Sequence, residues 1–124
     1  MRILLAGQPP LTPAVAEALV RHGHQPITPD SIGLTPESPK DQIIKEAEKS
    51  QLDILTNDPD LVEAPYQHDL WFKRTIIFLQ LKGGDVEQDD AIDRLFTRYR
   101  RLNPRHLYTV TETRVKTRQL PGAK

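Results

Sequence analysis

Leu52-Asp53-Ile54-Leu55-Thr56-Asn57-Asp58-Pro59-Asp60 joins an apolar run to a pair of carboxylates. Residues 52–56 read as a short strand, since Ile54 and Thr56 are β-branched and the run is bounded by turn-forming residues. Pro59 has no N–H and cannot continue a central strand, so the strand closes at Asn57-Asp58. Asp58 and Asp60 are then expected just beyond its carboxyl end, where ligands gather in open α/β sheets.

Working towards the N-terminus, helices and strands alternate. Residues 2–6, with Ile3, Leu4 and Leu5, read as a first strand stopped by Gly7 and the Pro9-Pro10 pair. Thr12 then offers an N-cap and Pro13 suits the first helical position, with an apolar stripe of Val15, Ala16, Leu19 and Val20 and a stop at Gly23. That places a helix over 13–22. Residues 25–28 are a second strand candidate. After a loop over 30–38, Ser38 and Pro39 open a second helix that runs to about Ser50, carrying Ile43, Ile44 and Ala47.

Towards the C-terminus, residues 65–73 read as irregular and 75–81 as the most strand-like run of the chain. The last helix opens on Asp85, Glu87, Asp89, Asp90 and Asp93, closes on arginines, and stops at Asn103-Pro104. Both charge placements favour the helix dipole. Its buried face is Ile92, Leu95, Phe96, Tyr99 and Leu102. Residues 107–110 and 114–117 read as a hairpin turning near Glu112. The whole is an α/β chain with a mostly parallel central sheet, flanking helices and a C-terminal β-hairpin, in one domain over residues 1–124. Its crossovers are expected to be right-handed.

This layout resembles the PIN-like domain family, the small relatives of bacterial toxin-type ribonucleases. The resemblance rests on the opening strand Arg2-Ile3-Leu4-Leu5-Ala6, a helix ending in Gly23-His24, and an apolar strand closing on Thr56-x-Asp58-x-Asp60. A late apolar strand, a last helix and a basic hairpin follow in order. The fold it implies is a three-layer PIN-like domain. The activity it implies is metal-dependent cleavage of RNA phosphodiester bonds, as in the toxin of a toxin–antitoxin pair. The cofactor would be Mg2+ or Mn2+, hard cations that take oxygen ligands and activate water. By the same resemblance the metal ligands are Asp58, Asp60 and Asp41, with Asp58 and Asp41 the catalytic carboxylates.

The chain departs from the family pattern at two positions. Gly7, followed by Gln8, stands where the first strand should run into an acid, and Lys40 stands where helix two should open on one. Each remaining acid also has a structural role open to it. Asp41 fits a capping-box-like Ser38-x-x-Asp41, and Asp58 before Pro59 fits the N-cap of a short helical turn with Asp60 behind it. A phospho-accepting receiver domain would need an acidic pair after strand one, which Gln8-Pro9 do not supply. His22 and His24 flank a helix end, where a histidine is favoured by the dipole more often than by a metal.

The net charge of zero conceals an uneven layout. From Asp30 to Asp93 there are fifteen acids against six bases; from Arg94 to Lys124 nine bases face one acid, Glu112. Arg94, Arg98 and Arg101 recur at helical spacing suited to a phosphate backbone, and Tyr66, Trp71 and Phe72 beside Lys73 and Arg74 suit base stacking. A solvated basic face and an aromatic cover over the core explain the same residues. Two functions fit these residues and the resemblance: the metal-dependent endoribonuclease, and a non-catalytic module that binds RNA, an antitoxin-like protein or a second copy of itself. With no cysteine, and an N-terminal apolar run too short for a signal peptide or a membrane span, a cytoplasmic protein with no membrane anchor is expected.

Overall fold

The computed structural model describes residues 1–7, 11–35 and 37–121. Gln8, the Pro9-Pro10 pair and Lys124, which enter the sequence argument, lie outside the described residues. The chain runs β1 (Arg2–Leu5), α1 (Pro13–Arg21), β2 (Gln25–Ile27), a 3-10 turn (Pro29–Ile32), α2 (Lys40–Lys49), β3 (Asp53–Thr56) and α3 (Pro59–Gln67). It continues through β4 (Ile76–Leu79), α4 (Asp85–Arg98), β5 (His106–Val110) and β6 (Val115–Gln119). The six strands form one sheet in the order β2-β1-β3-β4-β5-β6, parallel except for β6.

The two-residue period of the strands divides the core. Leu4, Ile54, Ile76 and Phe78 point to one face and pack with Ile43, Ile44 and Ala47 of α2 and Leu61 and Val62 of α3. Ile3, Leu55, Ile77 and Leu79 point to the other and pack with Val15, Ala18 and Leu19 of α1 and Ala91, Ile92 and Leu95 of α4. Every residue of β3 and β4 is buried, as expected of parallel strands covered on both faces. The result is three layers: two helices, a sheet, two helices. No helix among the described residues is long and apolar enough to cross a membrane.

This distribution overturns a uniform hand for the crossovers. The step from β1 to β2 runs one way along the sheet and the next three run the other way. With α1 and α4 on one face and α2 and α3 on the other, the first three crossovers share one hand and the crossover through α4 has the opposite one. On that face α4 packs against α1. Arg21 of α1 grips Asp89 of α4 through Nη1 (3.2 Å) and Nη2 (2.6 Å), and His22 Nε2 lies 2.7 Å from Asp93.

Other local expectations shift for definable reasons. Val20 is 60 % exposed and Ala18 takes its place in the α1 stripe. The helix ends on Gly23 (φ 80°), with the amides of Gly23 and His24 donating to Val20 O and Leu19 O, a left-handed cap that suits glycine. Thr12 precedes α1 but its hydroxyl donates to Gln88 Oε1 of α4 (3.0 Å) instead of capping. The capping box at α2 does not form: Ser38 Oγ accepts from Thr35 N (2.9 Å), and the N-cap position is Pro39. The largest departure is α3, a nine-residue helix where only a turn and an irregular stretch are expected. Pro65 disguises it, although Leu61, Val62 and Ala64 are buried on its inner side. The hairpin stands, as β5 and β6 pair antiparallel from His106↔Gln119 to Val110↔Val115.

Candidate functional site

The order in which strands are added to the sheet reverses between the parallel strands β1 and β3, and a cavity of about 270 Å³ opens at their carboxyl ends. Its walls are mainly apolar, with Leu5, Leu11, Leu34, Ile43 and Leu61, and Gly7 lies on its rim beside Ala6. Two charged residues face it, Lys40 from the first turn of α2 and Asp58 from the end of β3.

Asp58 is committed on both oxygens. Oδ1 accepts from the backbone N–H of Asp60 at 3.0 Å, which makes Asp58 the N-cap of α3. Oδ2 lies 2.6 Å from Lys40 Nζ. The backbone N–H of Asp58 donates to Thr56 Oγ1 at 3.0 Å, so the Thr56-x-Asp58-x-Asp60 signature is a self-supporting turn. The residue is only 7 % exposed, and a carboxylate so buried needs these partners.

Asp41 and Asp60 do not join it. Successive residues on a helix point about 100° apart, so with Lys40 turned to Asp58, Asp41 faces another way. Its carboxylate lies 3.8 Å from Lys45 Nζ on the exposed side of α2. Asp60 contributes its backbone N–H to the cap while its side chain is exposed in the first turn of α3, where an acid suits the dipole. Among the described residues no three of His, Cys, Asp and Glu gather where one ion could reach them. The donor set does not fit a divalent cation: one carboxylate is available at the cavity, and an ammonium already neutralises it.

The basic residues divide between two places. Lys73, Arg74 and Arg101 come together with Arg100 around a second cavity, at the amino ends of the strands. Arg94 does not reach it; its Nε lies 2.9 Å from Asp90 Oδ2 and its Nη2 donates to Thr111 O at 2.7 Å. Arg98 is the last residue of α4 and lies 5.4 Å over the ring of Tyr99. The expected stripe of Arg94, Arg98 and Arg101 on one helix is therefore broken, because α4 ends before Arg101. Arg100 lies off the helical spacing shared by Arg94, Arg98 and Arg101, and only the turn of the chain after α4 brings it to this cavity. Of the aromatics, Phe72 is core and Tyr66 donates to Gln119 O (3.0 Å) beneath Arg118, while Trp71 is 48 % exposed with Lys73 Nζ 4.7 Å from its ring centroid.

No protein-family model matches the chain, and no curated protein or solved structure is significantly similar to it.

Proposed function

We propose that this chain is a PIN-like binding module that holds RNA without cleaving it. The observation that carries the proposal is the 2.6 Å contact between Lys40 Nζ and Asp58 Oδ2. A nuclease of the kind the resemblance implies needs several carboxylates around a cation that activates water. Here a lysine occupies the position of one such acid, glycine that of another, and the ammonium takes the place of the metal as the counter-charge. The PIN-like resemblance supplies RNA as the partner, and the meeting of Lys73, Arg74 and Arg101 supports it. Phosphate contacts by such cations give binding without chemistry.

Calorimetry with MnCl2 and MgCl2, run beside incubation of the protein with single-stranded RNA, tests this. Neither ion gives binding heat, the RNA stays intact, and its retention weakens steeply with salt. Cleavage with either ion that Asp58→Asn abolishes would overturn the proposal.

A further inference from the structure

At the amino ends of β3, β4 and β5, opposite the Lys40–Asp58 edge, lies a cavity of about 340 Å³. Lys73, Arg74, Arg100 and Arg101 line it, against one carboxylate, Asp53. Asp53 is 4 % exposed and already engaged: Oδ1 accepts from Thr75 N at 2.9 Å, and Oδ2 accepts from Arg74 Nη2 at 3.4 Å. It aims the guanidinium without exhausting it. Arg74 Nε is buried and has no hydrogen-bond partner among the described residues.

A basic helix end is usually explained by the dipole, and α4 does end nearby at Arg98. The dipole carries roughly half a negative charge. Together with Asp53 it leaves an excess of about two to three positive charges facing a concave space. His24, also in the wall, adds none near neutral pH, because burial pushes its imidazole below its ordinary value. Guanidinium groups present paired N–H donors that match phosphate oxygens. A carboxylate-bearing peptide would satisfy the same donors. The neighbouring Trp71 favours a nucleotide, since its half-exposed ring is a stacking surface held beside Lys73.

We propose that this amino-edge cavity seats a phosphate of single-stranded RNA through Lys73, Arg74, Arg100 and Arg101, with an adjacent base stacked on Trp71. The assignment rests on the RNA-binding proposal above and names its site. It puts the contact on the edge of the sheet away from the Asp58 cavity.

Trp71 is the single tryptophan of the chain, so its fluorescence reports occupancy. Titration with a short single-stranded RNA quenches it, and millimolar inorganic phosphate competes. In the double variant Arg100→Ser/Arg101→Ser, whose side chains are exposed and whose fold circular dichroism verifies, affinity falls about tenfold. The slope of log affinity against log salt becomes shallower by about 1.4, or about 0.7 per cation removed. Arg114→Ser, in the β5–β6 turn at the opposite edge, leaves quenching and affinity as in the wild type. RNA binding that the double variant retains unchanged overturns the cavity assignment and leaves the RNA-binding proposal standing. A wild-type protein that binds no RNA overturns both. Phosphate binding without RNA binding, or equal quenching by polyglutamate, replaces the strand with a small anion or an acidic peptide and overturns the assignment.

Discussion

Lys40 Nζ lies 2.6 Å from Asp58 Oδ2, and the same carboxylate caps α3 through its other oxygen. One side chain thus ties the start of α2 to the start of α3 across the carboxyl edge of the sheet. Asp58→Ala removes both links. Loss of the cap costs about 1 kcal/mol, and loss of a largely buried charge partner adds about 1–2 kcal/mol. Asp58→Asn keeps a capping oxygen and costs only the second part. Urea denaturation of the two variants should separate these contributions; equal losses would mean that the cap adds nothing, and an Asp58→Asn variant as stable as the wild type that the ion pair adds nothing.

Lys40→Glu reverses the sign of that contact. Two carboxylates then share the cavity wall, and like charges at this distance destabilise the fold. A divalent cation relieves the repulsion. Millimolar Mn2+ is expected to raise the melting temperature of Lys40→Glu and to leave that of the wild type unchanged. At ten times its dissociation constant the ion would contribute about 1.4 kcal/mol. Thermal scans with and without Mn2+ measure the difference, and equal responses of the two proteins would contradict the assignment of Lys40 as the resident counter-charge.

Tyr108 is 1 % exposed, and its hydroxyl oxygen accepts from Asn103 N at 2.8 Å, fixing the chain between α4 and β5. Tyr108→Phe fills nearly the same volume but strands a partly buried N–H. The expected loss is about 1–2 kcal/mol, read from the denaturation midpoint. Thr75 Oγ1 donates to Asn103 O at 2.9 Å, so Thr75→Val should weaken the same link, and the two losses should not add.

The α1–α4 contact sets an acid limit to stability. Hydrogen bonds from His22 and Arg21 hold the Asp93 carboxyl below its ordinary value of 3.8. A carboxyl depressed in the folded state stabilises it above the unfolded pKa, and this contribution disappears as pH falls through the folded value. The group is solvent-accessible, so the effect is small, on the order of 0.5 kcal/mol. Asp93→Asn should therefore be less stable than the wild type at pH 7 and equal to it near pH 2. A difference that persists at pH 2 would assign it to packing, with the ion pair playing no part.

Most of the fold follows from patterns local enough to see in one dimension. The continuous apolar runs of β1, β3 and β4 and the helical stripes of α2 and α4 each reflect which atoms leave water, and burial follows those patterns closely. The helix α3 was hidden because Pro65 argues against a helix, and only its buried neighbours Leu61, Val62 and Ala64 offset that cost. The end of α4 is not legible in the sequence because Tyr99 and Leu102 continue the apolar spacing although the chain has already left the helix.

The candidate site was legible as a set of residues and illegible as a geometry. The sequence by itself determined that positions 7 and 40 carry a glycine and a lysine and no carboxylate, since residue identity alone decides whether a carboxylate exists. It also determined that cations crowd the C-terminal part. Only the tertiary structure decided that Lys40 neutralises Asp58, that Asp41 faces away on the same helix, and that Lys73 and Arg74 meet Arg100 and Arg101 across some 25 residues of chain. Those outcomes depend on a helix rotation of about 100° per residue and on strand order, which bring distant charges within a few ångströms or turn neighbouring ones apart.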